Sequence, residues 1–141
     1  MGDRRRFPFK TIAIAVLVFL AAPAFAADPV RSPQVVFDHH IRSWNERNLD
    51  SIVGDYADDA VVIVQGKVHR GKAAIGPLFR WLFQVFDRTK LVFDPTVVEG
   101  KVVYITWRAT KAGVEHAGTD TFVIEDGKIR YQTVTASNSL F

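Results

Sequence analysis

The 141-residue chain contains no cysteine. That absence excludes disulfide staples, a thiol nucleophile, cysteine-ligated metal sites and a lipidated-cysteine anchor. A long hydrophobic run is also missing. The apolar stretch from Ile12 to Ala22 is eleven residues. As a helix it rises about 16 Å, against a hydrocarbon core of roughly 30 Å. There is no basic stripe. The formal charge is +3, and the first ten residues hold all of it, with Arg4, Arg5, Arg6 and Lys10 against Asp3. Cations and anions balance over the rest, so a phosphate backbone finds no counter-surface and no nucleic-acid partner is expected. The four histidines show neither His-x-His nor His-Glu-x-x-His spacing, so no metal site is expected. Internal repeats and low-complexity linkers are lacking too.

What is present begins with an address. A cationic segment, an eleven-residue apolar run, then Pro23 and Ala24-Phe25-Ala26 read as a secretory signal peptide over residues 1–26, with an uncleaved anchor as the alternative. The arginine cluster with Phe7 and Lys10 resembles a twin-arginine signal, and the sequence leaves the general secretory and twin-arginine routes both open. The expected location is periplasmic or secreted, with no stable membrane insertion after cleavage. Residues 27–34 read as a short leader and 35–141 as one domain, long enough to bury a core without staples.

Ser32 followed by Pro33 predicts a helix start. Val36, Phe37, His40, Ile41 and Trp44 then form one apolar stripe to about Arg47, with His39 and Ser43 on the solvent side. Asn48 caps a second short helix with Leu49, Ile52, Val53 and Tyr56 on its buried face. A strand is predicted over 60–65, a return at Val68-His69-Arg70, and a third helix from Gly71 to about Phe86, where Pro77 introduces a kink or a delayed start. The rest reads as a meander of strands at 90–98, 101–110, 114–124 and 129–136. Asp94-Pro95 marks an edge or bulge, and Asp126-Gly127 a tight hairpin. Helices followed by antiparallel strands define an α+β domain, with a curved sheet enclosing a cone against the helices.

Alternation on the strand 114–124 sends His116, Gly118, Asp120 and Phe122 to one face. Its ends are apolar, so this face is expected inward. Trp107 should wall the same interior from the neighbouring strand. The first helix adds Val36, His40 and Trp44, and Tyr56 stands nearby. A mostly apolar pocket with a few convergent polar groups is the default small-ligand site. His40 and Asp120 are its polar candidates. Each also has a purely structural reading, as a satisfied core histidine and as an acceptor within the fold.

Three stretches resemble SnoaL-like domains of the nuclear-transport-factor-two-like superfamily. They are Trp44 to Val53 with Tyr56-Ala57-Asp58-Asp59-Ala60-Val61, Gly71-Lys72-Ala73-Ala74-Ile75, and Gly118 to Ile129. The resemblance spans about Val35 to Ala136 and implies the cone-shaped α+β barrel, also called cystatin-like. Ketosteroid isomerases are similar members. Their oxyanion-hole tyrosine falls on His40, their protonated oxyanion-hole aspartic acid on Asp120, and their general-base aspartate on Val64. Valine cannot accept a proton, so the isomerase mechanism is not expected. The resemblance further implies a homodimer through the outer sheet face, near Tyr104, Thr119 and Thr121.

Two functions follow. One is a non-catalytic binder of a small apolar molecule, with Val36, Trp44, Tyr56, Val64, Trp107, His116 and Phe122 lining the pocket. The other is a cofactor-independent lyase, isomerase or hydrolase using a His40–Asp120 pair, either as a dyad or as two hydrogen-bond donors. Neither needs a cofactor.

Overall fold

A computed structural model describes residues 29–87 and 89–137; the expected signal peptide lies outside them. The elements are α1 (Pro33–Asn45), α2 (Leu49–Asp55), β1 (Tyr56–Val64), β2 (Lys67–Arg70), α3 (Lys72–Val85), β3 (Leu91–Glu99), β4 (Val102–Lys111), β5 (Val114–Glu125) and β6 (Lys128–Ala136). Six strands form one curved, open sheet in the order β2-β1-β6-β5-β4-β3. The β1–β6 pair is parallel and the other pairs are antiparallel. Three helices with this sheet make the expected α+β cone. None of the helices among the described residues is long and apolar enough to cross a membrane.

Both helix starts follow from their caps. Ser32 Oγ accepts from the Val35 N–H, and Asn48 Oδ1 from the Ser51 N–H. Each satisfies a backbone donor that the first helical turn leaves without a partner. Helix α3 starts at Lys72 and continues through Pro77. Gly71 precedes it at φ +71°, where a Cβ would also meet the Asp58 carbonyl at 3.1 Å. Left-handed backbone and close approach together call for glycine.

Two expectations need correcting here. Tyr56 is not on the buried face of α2; it caps the C-terminal end of that helix and opens β1, paired with Ile129. The β-branched run pulls the strand back to include Tyr56, and a register shift between Tyr56 and Val61 absorbs the mismatch. The buried arc of α1 is also wider than one stripe. It includes Ser43, and His39 is half-buried. Helix α1 packs on α2 as well as on the sheet, so its second face is covered.

Val36, Ile52, Ile75, Val103 and Ile129 lose all contact with solvent and anchor the core between helices and sheet. Burial of such aliphatic side chains supplies the main driving force for closing the cone. Strand β3 is an edge strand, and its register shifts between Phe93 and Thr96, around the cis Asp94-Pro95 bond. The edge position and the bulge are both what a mid-strand proline requires.

Candidate functional site

The cone interior holds a cavity of about 60 Å³ bounded by His40, Trp44, Phe86, Trp107, Asp120 and Phe122 among others. Strand register explains how the polar group arrives there. Asp120 lies opposite Ile105 on β4 and Val134 on β6, so the residues directly facing it are apolar. Trp107 pairs with Gly118. A Cβ on Gly118 would lie 2.2 Å from Trp107 Cζ2 and 2.5 Å from the Thr135 carbonyl. The indole therefore lies across the glycine backbone. The ring fills the space that a side chain at residue 118 would take, and this brings its N–H diagonally to Asp120.

Both oxygens of Asp120 are held. Trp107 Nε1–H donates to Oδ1 at 2.9 Å, and Gln132 Nε2–H donates to Oδ2 at 2.9 Å. The Tyr56 hydroxyl donates to Gln132 Oε1. This chain fixes the Gln132 amide: its oxygen must face the tyrosine and its nitrogen the carboxylate. Burial pushes the Asp120 pKa up to about 6, and donation from Trp107 and Gln132 holds back a larger rise. Burial, with the charges of Asp120 and Asp55 nearby, likewise pushes the Tyr56 hydroxyl well above its usual range, so it stays a neutral donor.

His40 is 3% exposed. Its ring meets Tyr56, Phe79 and Phe122 edge-on, each at 5.6 Å between centroids. Its Nδ1 is buried with no hydrogen-bond partner among the described residues. The carboxylate beside that nitrogen is Asp55, whose Oδ2 stands 3.8 Å away. A dyad in which Asp120 orients His40 is therefore not what the fold builds. The partners of Asp120 are Trp107 and Gln132, while the charge behind His40 belongs to Asp55. Asp55 is 1% exposed and also accepts from Arg31 Nη1 at 3.1 Å and pairs with His39 Nδ1 at 2.8 Å. Burial alone would raise its pKa; His40 and His39 beside it more than reverse that and hold it below the ordinary carboxylate value.

The other candidate residues divide. Trp44, Trp107 and Phe122 bound the cavity with His40 and Asp120. Tyr56 is fully buried and reaches the site through Gln132. Val36 is fully buried in the core and is not among the residues that bound the cavity. Val64 is buried under α3, and the space beside it is a separate groove with Lys67, His69, Pro77 and Trp81. Val64 is not among the residues that bound the cavity. His116 does not bound the cavity either; it is half-buried, with Nδ1 lacking a hydrogen-bond partner among the described residues. Four residues of strand separate it from Asp120 by about 13 Å, and the Trp107 ring over Gly118 stands between.

Gln132 and Asp55 are functional-site residues that the sequence pattern alone did not single out. The signal for Gln132 was a lone polar residue in line with inward Val134 and Ala136 on β6. For Asp55 it was the spacing of four from Ser51, which puts both on one side of α2. Among the described residues, no group of three or more His, Cys, Asp or Glu is arranged to hold a metal ion.

The fold recurs widely among solved structures. A candidate polyketide cyclase from Sinorhizobium meliloti shares 20% identity at a TM-score of 0.64, covering 71% of this chain and 93% of its own. IdmH, a candidate polyketide cyclase from Streptomyces antibioticus, shares 17% at 0.64, covering 77% and 94%. A cystatin-fold protein from Novosphingobium aromaticivorans shares 16% at 0.65, covering 74% and 98%. At these identities the likeness is one of fold, and fold alone does not carry function. No curated protein matches the sequence. The SnoaL-like domain family matches residues 37–132, which run from the first buried aromatic of α1 to the glutamine that holds Asp120, and the chain belongs to that family.

Proposed function

We propose that this chain is exported and that its cone binds a small, mostly apolar molecule bearing one carbonyl or hydroxyl group, which meets Asp120 and the His40 ring. One observation carries the reading. A carboxyl group is pinned by two N–H donors inside a mostly apolar cavity, with lone pairs still free to face a ligand. The size of the cavity limits the occupant. Its 60 Å³ holds a few waters, whereas a benzene-sized guest takes about 150 Å³. A larger guest requires the aromatic cluster at the cavity wall to part. Trp44 packs on Phe83 at 5.2 Å and on Phe86 at 5.9 Å, and Phe86 meets Trp107 at 5.7 Å.

A second reading is favoured by the Asp120 pKa near 6. A carboxyl that exchanges its proton close to neutrality suits general acid–base work on an enolisable carbonyl, without a cofactor. The candidate polyketide cyclases among the structural neighbours point the same way.

Ligand-observed NMR with phenol and cyclohexanone tests the binding reading. Protonated Asp120 donates to a carbonyl, so cyclohexanone should bind more tightly below pH 6 than at pH 8. Asp120→Ala should abolish that difference. Absence of binding by both probes, or binding indifferent to Asp120→Ala and His40→Ala, overturns the assignment. Export is checked separately: protein recovered from periplasm or medium should begin at Ala27, and recovery of uncleaved protein only from the cytoplasm overturns it. A dimer through the outer sheet face, where Val97, Tyr104 and Tyr131 are exposed, belongs to the same proposal.

A further inference from the structure

A second cluster lies outside the cavity, where α1 crosses α2. His39 and Ser43 are four residues apart on α1, and Ser51 and Asp55 are four apart on α2. That spacing stacks each pair on one helix face, and the two faces meet. Ser43 Oγ donates to Ser51 Oγ at 2.9 Å, Ser51 Oγ lies 3.4 Å from His39 Nε2, and His39 Nδ1 lies 2.8 Å from Asp55 Oδ2. One set of protons satisfies the whole line. With His39 protonated on Nδ1, that nitrogen donates to Asp55, and the lone pair on Nε2 accepts from the Ser51 hydroxyl. Ser51 Oγ in turn accepts from Ser43. Asp55 is buried, and Arg31 binds its other oxygen, so the carboxylate is held in place behind the imidazole.

A serine hydroxyl on one imidazole nitrogen and a buried carboxylate on the other is the arrangement that makes a hydroxyl nucleophilic. It is recognised by geometry rather than by chain position, and serine–histidine contacts are often long before substrate binds. Ser43 Oγ also lies 2.9 Å from the His39 carbonyl, and this order of protons turns its hydrogen to Ser51 instead. We propose that Ser51 is a surface nucleophile, activated by His39 and Asp55, that accepts acyl groups from small activated esters. The His39 side chain is 36% exposed and Ser51 is half-buried, so the ester approaches from solvent and not through the cone.

The chemistry balances. Ser51 Oγ bonds to the ester carbonyl carbon as its proton passes to His39 Nε2. The bond from that carbon to the leaving oxygen breaks with its electron pair on that oxygen, which takes the proton from Nε2 and departs as the phenol, leaving Nε2 free again. Water then attacks the acyl carbon, giving one proton to His39; the Ser51 oxygen leaves and recovers a proton from Nε2. The products are a carboxylic acid and the phenol.

The test is incubation of the full domain with p-nitrophenyl acetate, followed by peptide mapping by mass spectrometry. Acetylation is expected on Ser51, and His39→Gln should slow it about 100-fold, the contribution of a positioned general base. Acetyl groups on lysines alone, or a Ser51 rate unchanged in His39→Gln, overturn the proposal. Should His39→Gln fail to fold by circular dichroism, a fluorophosphonate on the unmodified protein decides. Phosphonylation at Ser51 supports the assignment, and labelling elsewhere or nowhere overturns it.

Discussion

Replacing Asp120 by asparagine keeps the shape of the side chain and removes its titration. In the folded protein the carboxyl releases its proton near pH 6 rather than at 3.8. The folded state therefore binds more protons than the unfolded state between these values, and stability falls as pH rises through the window. The displacement corresponds to about 3 kcal/mol, lost by the unmodified protein between pH 4 and 7. Asp120→Asn loses none of it. At pH 4 the variant should be the less stable, because an amide offers one acceptor where Trp107 and Gln132 present two donors. That stranded donor costs about 1–3 kcal/mol and does not depend on pH. The gap between the two proteins should thus close or reverse by about 3 kcal/mol toward pH 7. In thermal unfolding this is a relative shift on the order of 10 °C. Urea unfolding followed by circular dichroism from pH 4 to 8 measures it directly. Parallel curves for the two proteins would refute both the burial of Asp120 as a charge and its place as the proton-exchanging group of the cavity.

Two further outcomes follow from the same geometry. Gly118→Ala drives a methyl into Trp107 and the Thr135 carbonyl. It should cost about 1–3 kcal/mol and change the near-ultraviolet circular dichroism as the indole is displaced; a variant as stable as the parent would show that the ring does not rest on residue 118. Asp55→Asn removes the charge that meets Arg31, His39 and His40. Its lowered pKa adds stability above 3.8 that is lost as pH falls through the folded value. The variant should be destabilised by about 1–3 kcal/mol at pH 6–8, with the difference shrinking below pH 4, and a pH-independent difference in urea midpoint would contradict it.

Much of the fold was legible because its signals are local. Ser32 with Pro33 and Asn48 marked the helix starts through the capping donors they satisfy. Alternation on β5 placed Asp120 and Phe122 inward, and the stripe on α1 did the same for His40. Misreadings arose where one element meets two others. A single apolar stripe left His39 and Ser43 to solvent, but the contact with α2 buries Ser43 and half-covers His39. Alternation also sent His116 inward, yet it has no means of showing that Trp107 lies across Gly118 and closes the cavity first.

The sequence by itself determined that the basic excess is confined to the first ten residues, that thiol chemistry is absent, and that helices precede a curved antiparallel meander. Those follow from composition and from periods of two and 3.6, which each segment carries alone. Only the tertiary structure decided which charges share a partner. Asp120 answers to Trp107 and Gln132, and Asp55 to Arg31 and both histidines. Pairings across 12 to 24 residues depend on how strands register and helices cross, and hydrogen bonds act only over about 3 Å. The chemistry of the molecule rests on distances that no single segment contains.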